Sequence, residues 1–358
     1  MTYERVDVAV IGAGQAGLSS AYALRRSGLG FVVFDHNPGP GGAWRHRWPS
    51  LTLSAAHRVH DLPGLPLGEA DASRPASEVV SEYFGRYERT FDLPVHRPVD
   101  VTAVRDDEDG RLLVDTSEGV WSVRGLINAT GTWERPFWPY YPGRETFRGR
   151  QLHTVDYRSA SEFAGRRVVV VGGGASAVQL LMEIAEVASA TAWVTRRPPV
   201  WVDGPFDEAR GRDSVARVEE RVRRGLPPGS VVGATGLMLT PEVRAARDRG
   251  VLERLPMFER VTPDGVVWAD GGSFAADVIL WATGFRASLD HLAPLRLRAP
   301  GGGIEIDGTR AVRDPRVHLV GYGPSASTIG ANRAGRTAVR DLRALLGRAR
   351  REETAAVS

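Results

Sequence analysis

The feature that most constrains this chain is a glycine-rich turn between a strand and a helix, which the sequence carries twice. In the clearer copy, residues 168–171 are four consecutive valines, typical of a strand buried on both faces, and Gly172, Gly173 and Gly174 follow directly. Helical spacing of apolar residues comes next, and residues 192–195 predict a second strand. This order leaves the N–H groups of a helix N-terminus open to a pyrophosphate.

A second copy lies near the N-terminus. Residues 6–11 predict a buried strand, Gly12, Gly14 and Gly17 form a full G-x-G-x-x-G motif, and a helix follows to about residue 27. A single motif of this kind is weak evidence, because glycine turns between strand and helix also serve packing. Two copies in one chain predict two dinucleotide sites.

The two copies differ where the second strand ends. Asp35 lies 23 positions after Gly12, and Arg196 lies 24 positions after Gly172. An acid at this position accepts hydrogen bonds from an unphosphorylated adenosine ribose, whereas the guanidiniums of Arg196 and Arg197 suit a 2′-phosphate. The sequence therefore predicts a flavoprotein that binds FAD and is reduced by NADPH.

Composition narrows the function classes. The chain of 358 residues is long enough for two domains, and its 46 basic residues are all arginines, dispersed among 43 acids, so we expect no nucleic-acid partner. With no cysteine there is no disulfide, redox dithiol or thiolate metal ligand, and no metal site is predicted. No apolar run approaches the roughly 18 residues of a membrane span and no signal peptide is apparent, so we expect a cytoplasmic protein.

Several loops are candidates for contact with the cofactors. Gly41 and Gly42 allow a close backbone approach, and Trp44 and Trp48 could cover a flavin ring; the alternative is a surface loop with its tryptophans in a core. Two Ala-Thr-Gly turns, at residues 129–131 and 282–284, follow predicted strands, as expected of ligand sites in open α/β sheets. The residues predicted to bind cofactor are Gly12, Gly14, Gln15, Ala16, Gly17, Asp35, His36, Gly42, Trp44, Trp48, Leu51, Val101, Ala129, Thr130, Gly131, His153, Gly172, Gly174, Ser176, Ala177, Arg196, Arg197, Ala282, Thr283, Gly284 and Gly321.

The predicted fold class is α/β with two Rossmann-like domains, the FAD domain being split in sequence by the NADPH domain. The expected divisions are an FAD-binding part over residues 1–146, a linker over 147–164, an NADPH-binding part over 165–284, and a return to the FAD domain with a C-terminal tail over 285–358. A polar, arginine-rich insertion at about 203–249 has helical stretches that look exposed. Residues 76–90 predict an amphipathic helix with a buried aromatic face.

The linker carries a further pattern, Phe147-x-Gly149-x-x-x-His153-x-x-x-Tyr157. Together with the paired glycine motifs, the Gly41-Gly-Ala-Trp44 loop and both Ala-Thr-Gly turns, it resembles the fingerprint of the class B flavin monooxygenases, over nearly the whole chain. Paired nucleotide motifs alone would equally describe thioredoxin-reductase-like enzymes, from which the fingerprint and the missing dithiol separate it. Tyr157 is followed by Arg158, whereas Baeyer-Villiger members usually have Trp followed by Pro or Asp.

The resemblance implies an enzyme in which NADPH reduces FAD, dioxygen forms a C4a-hydroperoxyflavin, and one oxygen atom passes to a small amine, sulfide or carbonyl substrate. It implies no catalytic dyad, and His153 is interpreted as a structural or hinge residue, with general acid work as the alternative. Two other functions stay open: an NADPH oxidase or reductase that passes electrons to a small acceptor or to oxygen, and a flavin-binding sensor. The substrate and the oligomeric state, monomer or homodimer, are not predicted.

Overall fold

The computed structural model describes residues 3–56, 59–203, 208–229 and 236–357. Contacts divide the chain into two compact units. The first unit comprises Met1–Gly131, Val215–Gly229 and Ala287–Ser358, and the second comprises Thr132–Ser214 and Ser230–Arg286. Within the described residues, no helix is long and apolar enough to cross a lipid bilayer.

The first unit is built on a nine-stranded sheet in the order β17-β18-β19-β6-β1-β2-β3, with β5 also pairing β6 and β4 pairing β5. The pairs β19/β6, β6/β1, β1/β2 and β2/β3 are parallel, so the carboxyl ends of these strands share one edge. The strands are β1 (Glu4–Ile11), β2 (Phe31–Phe34), β3 (Val95–His96), β4 (Val101–Asp106), β5 (Leu112–Thr116), β6 (Gly119–Asn128), β17 (Ile306–Asp307), β18 (Arg310–Ala311) and β19 (Val317–Leu319).

The helices of the first unit include α1 (Gln15–Arg25), α2 (Ala76–Thr90) and α6 (Thr328–Val357). The predicted apolar face of α2 is buried and consists of Val79, Val80, Tyr83, Phe84 and Tyr87. Helices α1 and α6 meet closely, since a Cβ placed on Gly335 would lie 2.8 Å from Ser20 Oγ. Two hydrophobic clusters stabilise this unit, one of them joining side chains of α1, α2 and α6.

The second unit contains a five-stranded parallel sheet in the order β12-β9-β8-β16-β7, and α3 connects β8 to β9. The elements of this sheet are β7 (Arg150–His153), β8 (Arg167–Val171), α3 (Ala175–Ala185), β9 (Ala190–Thr195), β12 (Arg254–Pro256) and β16 (Val278–Trp281). A parallel pair and a small antiparallel sheet complete the unit, formed by β10 (Trp201–Val202), β11 (Leu237–Met238), β13 (Arg260–Thr262), β14 (Gly265–Val267) and β15 (Ser273–Ala275). Both units are thus Rossmann-like α/β structures, as predicted.

The predicted insertion contains two helices, α4 (Glu208–Arg223) and α5 (Pro241–Asp248). Most of the residues whose burial is described in these helices are exposed, as expected. The buried ones are Val218 and Val222 on α4 and Val243 and Ala246 on α5. Residues 215–229 group with the first unit although they lie inside the insertion, and residues 204–207 and 230–235 of the insertion lie outside the described residues.

Other bounds were not predicted from the sequence. Strand β6 runs without a break from Gly119 to Asn128, and α6 extends to Val357. The first of the three segments of the first unit extends to Gly131. The sequence did not reveal these points because helix and strand ends depend on tertiary partners as much as on local pattern.

Candidate cofactor sites

The first glycine turn follows β1 and is fixed by contacts that exclude side chains. Gly12 has a φ of 97°, and a Cβ there would lie 2.6 Å from the carbonyl oxygen of Ala129. A Cβ on Gly17 would lie 1.8 Å from the oxygen of Gly12. Both positions require glycine, and the result is a tight strand-to-helix turn with α1 packed directly against it.

The N-terminus of α1 has unused donors. Gly14 caps the helix without a side-chain hydrogen bond, and the first turn contains no acidic residue. Gln15 donates from Nε2 to Asn332 Oδ1 at 3.0 Å, while its Oε1 is buried and accepts no hydrogen bond from the described residues. Ala16 and Gly17 are buried in the same turn. Backbone N–H groups and a positive helix end make this turn a site for an anion.

Asp35 directly follows β2 and is 3% exposed. Its Oδ2 accepts the N–H of Ala13 at 2.7 Å, and its Oδ1 accepts the backbone N–H and the Nδ2 of Asn37 at 2.8 and 2.9 Å. A carboxylate offers about four acceptor positions, so capacity remains for a ribose hydroxyl. The adjacent His36 is exposed. Asn37, which the sequence analysis did not single out, orients this carboxylate.

The second glycine loop lies against the first. A Cβ on Gly42 would be 2.8 Å from the Cα of Gly14, so the two backbones meet where no side chain fits. A 3₁₀ helix over Gly42–His46 then presents Trp44, which is half-buried with the Arg47 guanidinium carbon 5.9 Å from its ring centre. Burial lowers the pKa of Arg47 to about 10, which still leaves it protonated at neutral pH.

Three more of the predicted residues in this region belong to packed surroundings. Trp48 and Leu51 are 2% and 7% exposed and form part of the core beneath the loop. Val101 begins β4, where it is paired with Thr116 and packs half-buried against the second hydrophobic cluster. These residues support the loop and the sheet. For Trp48 this agrees with the alternative interpretation, in which the tryptophan lies in a core.

The first Ala-Thr-Gly turn lies at the carboxyl edge of the parallel strands. Thr130 Oγ1 donates to the oxygen of Ser288 at 2.6 Å and accepts Asn128 Nδ2 at 3.0 Å. Asn128 Oδ1 in turn lies 2.6 Å from Nε2 of the buried His291, whose pKa burial lowers to about 4. Because the ring is neutral at pH 7, Nε2–H donates and fixes the amide orientation.

Gly321 lies at the same edge, after β19. A Cβ there would be 3.4 Å from the Cβ of Ala16 in the first turn of α1. Residues predicted from separate stretches of sequence, Gly12, Ala129 and Gly321, therefore converge on one helix N-terminus. Convergence at the carboxyl ends of parallel strands is the expected position of a ligand in this fold.

The second unit repeats the turn with one informative difference. Gly172 has a φ of 144°, a Cβ there would lie 2.1 Å from the oxygen of Ala282, and Trp193 Nε1–H donates to the Gly172 carbonyl at 2.7 Å. A Cβ on Gly174, in contrast, would have no atom within 4 Å. Helix α3 has no side-chain cap and no acid in its first turn, where Ser176 is half-buried and Ala177 fully buried. The space over Gly174 and the free N–H groups together fit a pyrophosphate.

Arg196 and Arg197 follow β9 and are both exposed. Thr195, the last residue of β9, is 2% exposed and donates from Oγ1 to the carbonyl oxygen of Arg197 at 2.7 Å. This bond fixes the backbone from which the two guanidiniums extend.

The residues of the linker fingerprint make close contacts in the folded chain. A Cβ on Gly149 would lie 2.4 Å from the oxygen of Asp277 and 2.5 Å from the ring of Phe147, which is buried. Tyr157 stacks on Phe163 at 5.7 Å and donates its hydroxyl to Glu183 of α3 at 2.8 Å. Through Tyr157, the pattern thus attaches the linker to α3.

His153 ends β7 with no exposed surface, and its Nε2 lies 3.1 Å from the carbonyl oxygen of Gly284 in the second Ala-Thr-Gly turn. Burial lowers the pKa of His153, so the ring is neutral and Nε2–H donates to this carbonyl. Phe137 N–H donates to the same oxygen at 2.9 Å, and Thr283 Oγ1 donates to the Phe137 carbonyl. These bonds agree with a structural role for His153.

This chain is similar to known proteins both in sequence and in structure. The family described as pyridine nucleotide-disulphide oxidoreductase matches residues 9–208, more than half of the chain. A flavin-containing monooxygenase from Stenotrophomonas maltophilia is 40% identical, with 96% of this chain and 99% of that chain covered and a TM-score of 0.83. The chain belongs to the flavin-containing monooxygenase family.

The chain is also similar to more distant relatives. An uncharacterized oxidoreductase from Geobacillus kaustophilus is 26% identical over 78% of this chain and 80% of its own length. A Baeyer-Villiger monooxygenase from Streptomyces coelicolor is 30% identical over 63% of this chain and 43% of its own length. This chain has no cysteine, so the disulphide chemistry in the matching family's name does not apply to it.

Proposed function

We propose that this protein is an FAD-dependent, NADPH-consuming monooxygenase that transfers one oxygen atom to a small amine, sulfide or carbonyl compound. The observation that carries the proposal is the difference between two otherwise equivalent turns: one ends in the buried acceptor Asp35, and the other in the exposed guanidiniums of Arg196 and Arg197. That difference predicts two dinucleotides with different ribose chemistry in one polypeptide.

We assign FAD to the first unit. The uncapped N-terminus of α1 fits a pyrophosphate, with the close approach of Gly14 and Gly42 leaving the backbone bare beside it, and Asp35 fits the adenosine ribose. The half-buried Trp44 supplies a flat apolar surface beside this turn.

We assign NADPH to the second unit. The open space over Gly174 fits its pyrophosphate, and Arg196 and Arg197 fit its 2′-phosphate. FAD, when bound, accepts a hydride from NADPH and activates dioxygen. The protein's part is to bind and orient: neutral His153 holds the Gly284 carbonyl and so fixes the second Ala-Thr-Gly turn at the carboxyl edge of the sheet.

The test is an NADPH-oxidation screen of the purified holoenzyme against amines, sulfides and ketones, with hydrogen peroxide measured in the same samples. We expect a substrate of one class to accelerate NADPH oxidation while peroxide falls below the NADPH consumed. Peroxide equal to NADPH with every compound would assign the chain as an oxidase. A folded protein that takes up no flavin, or that is not reduced by NADPH, would exclude both activities and favour a non-enzymatic role.

A further inference from the structure

A third arginine, Arg254, lies on the strand beside the one that Arg196 follows. Arg254 begins β12, which pairs with β9 in parallel register. Its Nε–H donates to Thr195 Oγ1 at 3.0 Å, and its Nη2 donates to the Thr195 carbonyl oxygen at 2.8 Å. The guanidinium is therefore held by two hydrogen bonds to Thr195, the last residue of β9. Thr195 directly precedes Arg196 and Arg197, the two arginines predicted to bind the 2′-phosphate.

Thr195 connects the three arginines. Its Oγ1 accepts from Arg254 and donates to the carbonyl oxygen of Arg197 at 2.7 Å. Because Thr195 is 2% exposed, both bonds are shielded from water and hold the strand end in one conformation. Arg254 thus acts on the same backbone that positions Arg197.

The charges of these three arginines decide which kind of ligand this strand end could bind. Among the residues that the structure describes, no carboxylate forms a salt bridge with Arg196, Arg197 or Arg254. Arg249, elsewhere in this unit, pairs with Glu186 at 2.8 Å. The two bonds to Thr195 use two of the five N–H donors that a guanidinium carries. A half-buried cation with donors to spare, at this point of a Rossmann unit, is suited to an anion on the adenosine ribose.

We propose that Arg254 recognises the 2′-phosphate of NADPH together with Arg196 and Arg197, and that it is a specificity-determining residue for NADPH over NADH. This inference rests on the proposed function, because it assumes that the nicotinamide cofactor occupies the second unit. The ligand chemistry is a ribose 2′-phosphate, and a ribose with a free 2′-hydroxyl gains nothing from the third cation.

The experiment measures binding of adenosine 2′,5′-bisphosphate and of adenosine 5′-monophosphate to the purified holoenzyme by isothermal titration calorimetry. In Arg254→Gln we expect the bisphosphate to bind roughly tenfold to a hundredfold more weakly, because a hydrogen bond to a charged group is lost, while the monophosphate affinity stays unchanged. The matched control is Arg249→Gln, which removes an arginine charge from the same unit and should change neither affinity. The ratio of KM for NADPH to KM for NADH should rise in Arg254→Gln alone.

A second variant keeps the inference testable if Arg254→Gln does not fold. Arg254→Lys keeps the charge but not the two-pronged contact with Thr195, and we expect a smaller loss of bisphosphate affinity, again with the monophosphate unaffected. If both ligands weaken equally in the variants, or neither does, Arg254 only supports the strand and the inference is overturned while the proposed function stands. If the wild-type protein itself does not prefer the bisphosphate, the assignment of NADPH fails together with the inference.

Discussion

Substituting Gly174 with alanine separates the folding role of the second glycine turn from its binding role. Gly174 has a φ of −98° and a ψ of 172°, an extended conformation that alanine adopts freely, and its Cβ would meet no atom within 4 Å. Replacing glycine lowers the conformational entropy of the unfolded chain, which stabilises the fold by about 0.4–1 kcal/mol. Alanine at the N-cap position destabilises the helix by a similar small amount. We therefore expect the free energy of unfolding to change by less than about 1 kcal/mol.

The same methyl group occupies the space that we assign to the pyrophosphate. Holding the phosphate away from the N–H groups of α3 removes hydrogen bonds to a charged group, worth about 1.5–3 kcal/mol, which corresponds to roughly a tenfold to hundredfold rise in Kd for NADPH. The flavin content should not change, because Gly174 belongs to the second unit and the flavin turn to the first.

The matched control is Gly173→Ala, one residue earlier, where a Cβ would lie 3.6 Å from Thr195 Cγ2 in ordinary van der Waals contact. Anaerobic stopped-flow reduction of the flavin at varied NADPH concentration gives Kd, and urea unfolding gives stability. A folded Gly174→Ala protein with the wild-type Kd, or a Gly173→Ala protein impaired to the same degree, would refute the placement of the pyrophosphate on this turn.

Two further predictions concern the first unit. Asp35→Ala leaves the N–H of Ala13 and the donors of Asn37 without their acceptor, and removes the proposed ribose contact, so the purified protein should lose about 1–3 kcal/mol of stability and most of its flavin. The flavin-to-protein absorbance ratio measures this, and full flavin occupancy would contradict it. Burial lowers the pKa of His318 to about 4, so between pH 6.5 and 4 the unfolded chain binds a proton that the folded chain does not, and stability falls as pH falls. Urea unfolding at pH 7.5 and pH 5 should show the wild type losing about 2 kcal/mol more than His318→Asn, whose amide can still bond Thr309; equal losses would disprove this.

Parts of both sites could be predicted from local sequence because their chemistry is local. The glycines at 12 and 172 must adopt positive φ where a strand turns into a helix, and Asp35 and Arg196 follow their strands at nearly equal spacing. The buried face of α2 was predictable for the same reason, since a period of 3.6 residues is visible in one stretch. Each of these features needs only residues within one strand-turn-helix segment.

Other features arise between residues that are distant in sequence. His153 bonds Gly284, 131 positions away, Asn128 contacts His291, 163 positions away, and Arg254 contacts Thr195, 59 positions away. Each contact joins two segments that become neighbours only in the folded chain. A sequence shows that a segment forms a strand but not which strand lies beside it, since the pairing is decided by the packing of the whole unit.

The sequence by itself thus determined the two dinucleotide turns, the acid and the arginines that distinguish them, and the family fingerprint. Tertiary structure decided which side chains from distant segments support those residues: His291 beside Asn128 in the first unit, and Arg254 on the strand beside β9 in the second. It also decided that residues 215–229 pack with the first unit. The physical reason is that backbone conformation follows from near neighbours, whereas hydrogen bonds and burial between distant segments depend on the arrangement of the folded chain.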